Sequence, residues 1–237
     1  MINIELLSKI CEIPGAPGFE SNIRKFIMQQ ISALVNEMYI DNIGNLVAIK
    51  KGNNNPDHKK IMVAAHMDEI GFIVTYIDDK GFVWFHTLGG FDPKTLTAQR
   101  VIVHGSQDLM GVMGIDLGMN KEEVEKVVSI GNPITRERSL IQMGNCINCK
   151  SLDNRVSVFV LIETLKQLQN NEYDVYAVFT VQEEVGLRGA QVAAHAINPD
   201  FGIALDTTIA YDVPNAKAQE KVTELGKGTA ITLRITE

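Results

Sequence analysis

Apolar residues recur at helical spacing twice near the start of the chain. Ile4, Leu7 and Ile10 line one face over residues 3–12. Ile23, Phe26, Ile27, Ile31, Leu34 and Val35 do so over residues 20–36. Pro14-Gly15-Ala16-Pro17-Gly18 predicts a loop between these two helices. Asp41-Asn42-Ile43-Gly44-Asn45 predicts a turn between two strands, the second over residues 46–50. A polar loop follows at 52–56, and then an unbroken apolar run at 61–65. Such a run predicts a strand covered on both faces. From residue 71 to about 149 the texture changes to short β-type runs at 72–77, 82–87, 100–104 and 110–114, with turn signals between them and one short helix over 121–127. That pattern predicts a small antiparallel module of β-barrel type. Beyond Asp153 the longer alternation returns: a helix over 156–168, a strand over 174–180, a helix over 186–196, a strand over 201–205 and a last strand over 230–235. Helices alternating with buried strands predict an α/β layer with a largely parallel sheet. The expected organisation is one α/β domain, residues 1–70 and 150–237, interrupted by the β module at 71–149.

The 237 residues suffice for one large domain or two modest ones, and an apolar fraction of 45% is that of a globular protein with a full core. A net charge of −7 without any basic stripe argues against nucleic acid or an anionic membrane as partner. No apolar run has membrane-spanning length. Met1-Ile2-Asn3-Ile4-Glu5 lacks the basic-then-apolar layout of a secretory signal, so a cytoplasmic location is expected. Three cysteines make no disulfide framework. Cys146 and Cys149 have the spacing of half a zinc knuckle, but only Cys11 remains to complete one, and reduced thiols are the preferred reading.

The chemistry concentrates at the ends of apolar runs. His66 closes the run at 61–65, and Asp68 follows two residues later. Carboxylate–imidazole pairs hold transition metals, because the carboxylate fixes the ring tautomer and raises its basicity. Glu183 and Glu184 follow the strand at 174–180, Asp206 follows the strand at 201–205, and Asp153 opens the helix after the β module. Ligands of open α/β sheets bind beyond the carboxyl ends of the strands. Each residue alone has a plainer explanation: a core histidine, a helix N-cap at Asp153, a turn aspartate at Asp206, a solvated acidic turn at 183–184. Their joint placement favours a metal centre. Imidazole with carboxylates suits zinc, cobalt or manganese. A carboxylate-rich set suggests a catalytic centre, with one carboxylate shared between two metals, and a neighbouring glutamate can take the proton from water.

These segments resemble a known family. His66-Met67-Asp68-Glu69-Ile70-Gly71, Leu152-Asp153-Asn154-Arg155, the stretch 181–190 (Val-Gln-Glu-Glu-Val-Gly-Leu-Arg-Gly-Ala) and Ala204-Leu205-Asp206 are similar to motifs of the glutamyl-aminopeptidase/endoglucanase-like metallopeptidases, the tetrahedral aminopeptidases. Residues 14–20 and 89–101 fit the same pattern. The resemblance implies a zinc-peptidase-like α/β/α sandwich with an inserted small β-barrel dimerisation domain, and dimers that build a dodecamer. It implies two divalent metals per subunit, zinc or cobalt, and peptide substrates trimmed from the N-terminus. His66 and Asp206 would hold one metal, Glu184 the other, and Asp153 would bridge them. Glu183 would serve as general base and then general acid, with Asp68 orienting His66. The family's second metal also takes a histidine from a C-terminal segment, which this chain is expected to lack: it has no histidine after His195, itself expected on a helix surface. The β module is expected to be short between Gly114 and Ile115. Alternatives from other classes are a metal-poor assembly or binding relative, and a deacylase or carboxypeptidase using the same metals. Glycoside hydrolysis fits less well, since a Glu-Glu dipeptide is a poor source of two opposed carboxylates.

Overall fold

The computed structural model describes residues 2–53, 56–57, 59–116 and 118–231. The chain opens with α1 (Ile4–Glu12) and α2 (Ser21–Ile31). Asn3 caps α1 by accepting from the Leu6 amide at 3.0 Å. The helix stops at Ile13, whose extended backbone is what a following proline requires. α2 ends at Ile31, short of the expected residue 36.

Strands β1 (Glu37–Ile40), β2 (Leu46–Lys50) and β3 (Lys60–His66) follow. Then come β4 (Gly71–Ile77), β5 (Val83–Leu88), β6 (Arg100–His104), β7 (Asp108–Val112), the short helix α3 (Lys121–Glu125), β8 (Pro133–Arg136), β9 (Ile141–Met143) and β10 (Cys146–Asn148). The chain returns to longer elements with α4 (Leu152–Gln167), β11 (Asp174–Thr180), α5 (Arg188–Ile197) and β12 (Phe201–Ala204). Of the strand expected over 230–235, residues 230 and 231 lie in no regular element, and 232–235 fall outside the described residues.

The first sheet has the order β1-β2-β11-β3-β12. β11 and β12 flank β3 in parallel, whereas β2 pairs antiparallel with both β1 and β11. The sheet is therefore mixed, not largely parallel. The tight turn at 41–45 allows only an antiparallel β1–β2 pair, and that hairpin joins the parallel strands through β2. Side-chain alternation sends alternate residues to opposite layers. Leu46, Ala48, Ala177 and Phe179 pack with α1, α2 and α4. Val47, Ile49, Met62 and Val178 pack under Ala193 and Ile197 of α5. The result is three layers, helix–sheet–helix.

Residues 71–136 build a second, wholly antiparallel sheet of order β5-β4-β8-β6-β7, with its own core around Phe72, Val74, Val103 and Ile134. The sequence pattern missed β8, β9 and β10, which are too short to show a period. The expected barrel is not closed among the described residues: β5 and β7 are unpaired edges. An apolar cavity of about 110 Å³ separates them, lined by Val83, Phe85, Leu109 and Val112 and rimmed by Gly114 and Ile115. No helix among the described residues is long and apolar enough to cross a membrane.

Candidate metal centre

β3, β11 and β12 run in one direction, so their carboxyl ends lie along one edge of the first sheet. The register sets His66 opposite Thr180 and Ala64 opposite Ala204. The Leu205 amide donates to the Ala64 carbonyl at 2.8 Å, which carries Asp206 to the edge beside His66.

His66 sits at the centre of the arrangement and is buried. Its two nitrogens face different groups. Nδ1 lies 3.1 Å from the Asp68 carbonyl and 3.4 Å from the Asp68 carboxylate. Nε2 lies 3.1 Å from Asp153, 3.7 Å from Glu183 and 3.9 Å from Asp206. An Nδ1–H donating to Asp68 leaves the Nε2 lone pair aimed at the carboxylates, the tautomer a metal ligand needs.

Two triads of potential donors share His66: one with Asp153 and Asp206, the other with Glu183 and Glu184, the donor atoms of each lying within 4.8 Å of one another. The four carboxylates line an open side, Asp153 and Asp206 exposed and the glutamates half-buried. Asp153 is no N-cap. It and Asn154 have non-helical backbone within α4, and Asp153 hydrogen-bonds His66 instead. Asn154 donates to the Leu205 carbonyl at 2.9 Å, tying this kink to the strand end that carries Asp206.

Asp68 does more than face His66. Its Oδ1 and Oδ2 accept from the amides of Glu183 and Glu184, each at 3.1 Å. One fully buried carboxylate thus positions the imidazole and both glutamates together. Sequence reasoning missed this link, and it also missed Asn45 and Glu20. Asn45 accepts from the Val181 amide at 3.0 Å and donates to the Gly189 carbonyl at 2.9 Å, gripping both ends of the Glu-Glu turn. Glu20 accepts from the Gln182 amide at 3.2 Å. Gly189 has to be a glycine: a Cβ there would stand 2.4 Å from both the Asn45 side-chain oxygen and the Val181 carbonyl. No local pattern signals this contact, since Asn45 and the turn lie more than 130 residues apart along the chain. His195 lies in the last turn of α5, apart from the metal-competent groups.

The electrostatics follow from crowding. Burial draws the imidazole toward its neutral form, but hydrogen bonds to Asp153 and Asp68 and the nearby Glu183 outweigh it, and its pKa is pushed up to about 10. The bond to His66 holds Asp153 below the usual carboxylate range. Burial, then repulsion from Asp153, pushes Glu184 up to about 7. Burial also raises Glu183, helped by Asp206, Asp68 and Asp153 against the opposing pull of His66. Among the described residues no lysine or arginine forms an ion pair with these four carboxylates; Asp153, Glu183 and Asp206 pair with His66. Such a donor set fits a divalent cation, which would replace the protons the site now holds.

Known proteins resemble this chain over most of its length. The family model described as M42 glutamyl aminopeptidase matches residues 44–116 and 113–235. Its two stretches meet where the β module was expected to be short. The lysyl aminopeptidase of Pyrococcus furiosus is 36% identical over 96% of this chain and 72% of its own. Aminopeptidase APDkam598 of Desulfurococcus kamchatkensis superposes with a TM-score of 0.88 at 35% identity, over 95% of this chain and 68% of that one. The Pyrococcus horikoshii TET1 peptidase, which can assemble into a tetrahedron or a large octahedral shell, superposes with a TM-score of 0.79 at 30% identity, over 90% and 72%. The chain spans 68–72% of the length of these three.

Proposed function

The chain belongs to the M42 glutamyl aminopeptidase family of metallopeptidases, and on that premise we propose that it removes N-terminal residues from peptides at the centre around His66. The observation that carries the reading is His66 Nε2 directed at three carboxylates within 3.9 Å while Asp68 occupies Nδ1. His66, Asp153, Glu184 and Asp206 are the residues that would hold divalent metal, two ions in the family reading. A divalent metal held there would polarise the scissile carbonyl and acidify water. Glu183 takes the proton from the attacking water. Its raised affinity for protons suits a base working near neutrality. It then gives that proton to the departing amine. Asp68 holds Glu183 and Glu184 by their amides, so the base and a ligand keep their spacing through the cycle.

Turnover of free-amine dipeptide amides is expected to vanish on dialysis against a chelator and return with zinc or cobalt. N-acetylated versions of the same substrates should not be cleaved. Metal retention should weaken progressively as the pH falls, first as the metal competes with the His66 proton below about 10 and further below about 7, where Glu184 takes up its proton. Equal cleavage of blocked and free peptides would replace the aminopeptidase reading with an endopeptidase or deacylase one.

The family relationship also supports self-association, and we assign it to the antiparallel sheet, which exposes Trp84 and Met110, with Ile115 exposed just beyond β7. Light scattering should then give a mass above one chain, reduced by Trp84→Glu. A monomer at micromolar concentration is the contrary result.

A further inference from the structure

We propose that Glu20 is a positioning residue for Glu183, acting through the left-handed backbone of Gln182; the inference rests on the reading of Glu183 as the proton carrier. β11 ends at Thr180. Were the chain to run on as a strand, residues 183 and 184 would face opposite sides. Instead Gln182 takes a φ of 56°. That reversal turns the amides of Glu183 and Glu184 together onto Asp68, and it leaves the Glu183 carboxylate 3.7 Å from His66 Nε2. Residues other than glycine resist this conformation, because the Cβ crowds the backbone. One persists there only where surrounding contacts hold it.

The contacts that hold Gln182 are specific. The Glu20 Oε1 accepts from the Gln182 amide at 3.2 Å and from the Gly18 amide at 2.8 Å. The Arg188 amide donates to the Gln182 carbonyl at 3.3 Å, and the Arg188 guanidinium donates to the Gln182 side-chain oxygen at 3.2 Å. The successive amides of residues 181 to 184 thus all end on buried side chains from elsewhere in the sequence: Asn45, Glu20 and Asp68.

Glu20 has a plainer role within reach. It occupies the N-cap position of α2, where a side-chain oxygen can accept from the first amides of the helix. It makes no such bond. Its side chain is buried instead. Burying a carboxylate is unfavourable unless hydrogen bonds compensate it, and the amides of Gly18 and Gln182 do so. Glu20 therefore ties the loop between α1 and α2 to the Glu-Glu turn, 162 residues further along the chain from Glu20 to Gln182.

The test measures kinetics and bound zinc per chain for variants at both positions. Glu20→Ala should lower kcat about tenfold to a hundredfold, with KM and bound zinc unchanged. Glu20→Gln keeps an acceptor oxygen and should restore most of the rate. Glycine takes a positive φ freely, so Gln182→Gly should be near neutral alone and should recover much of the Glu20→Ala loss when the two are combined. Gln182→Val leaves Glu20 in place but resists a positive φ, and it should reproduce the loss. A crystal structure of Glu20→Ala should find residue 182 outside the left-handed region and Glu183 withdrawn from His66. Wild-type kcat in Glu20→Ala or Gln182→Val would overturn the proposal. So would a Glu20→Gln as slow as Glu20→Ala, no recovery in the combined variant, or an unchanged turn in the Glu20→Ala crystal structure. If the unmodified chain cleaves no free-amine peptide, the aminopeptidase reading falls, and that crystal structure decides the positioning by itself.

Discussion

Glu183→Gln is expected to lower kcat by about 10²–10⁴-fold while bound metal per chain stays unchanged. Glutamine keeps the size and polarity of the side chain, and the amide at 183 still donates to Asp68, so the turn should hold its shape. What disappears is the ability to accept a proton from water and return it to the leaving amine. Glu184→Gln gives the contrasting result, losing metal together with turnover, because this residue is the proposed ligand. Parallel kinetics and elemental analysis separate the two. If Glu183→Gln works at near wild-type rates, Glu183 is not the proton carrier.

The second large effect concerns stability. Glu69 and Lys150 stand at the two crossings between the α/β layer and the antiparallel module, and they form a buried ion pair. The Gly15 amide also donates to Glu69 at 3.2 Å, and the fully buried Arg155 guanidinium lies 3.9 Å away. Burial lowers the Lys150 pKa, the neighbouring Arg155 adds to this, and Glu69 opposes both. Lys150→Met leaves the Glu69 charge without its closest partner inside the protein. Breaking a buried pair from one side costs about 3–5 kcal/mol. That is a large part of the roughly 5–15 kcal/mol that holds a domain folded. The urea midpoint should fall accordingly, and adding Glu69→Gln should recover much of the loss by removing the stranded charge. A Lys150→Met midpoint close to wild type would show that Arg155 alone satisfies Glu69.

The pair also illustrates which features the sequence hides. The apolar runs at 61–65, 174–180 and 201–205 mark β3, β11 and β12 almost to the residue, because an apolar run is a local property, although β12, expected to be buried, is exposed at all four positions at the sheet edge. With the strand ends known, His66, Glu183, Glu184 and Asp206 could be placed at sheet ends. Strands β8–β10, three or four residues each, are too short to carry such a period. The sense of β2 depends on its neighbours in space, which no local pattern reports. Glu69 reads as an ordinary acidic residue after a histidine motif, and nothing near it indicates that its cation is Lys150.

Local order in the chain was enough to determine the alternating elements, the separate texture of the antiparallel module and the residue types suited to a divalent metal, since hydrophobic periodicity and donor chemistry are properties of neighbouring residues. Tertiary structure alone decided that Asp68 grips both glutamate amides, that Asp153 faces His66 and does not cap a helix, and that Asn45 clamps the turn. Each of these is a contact between segments far apart along the chain, formed because sheet register brings their backbones together.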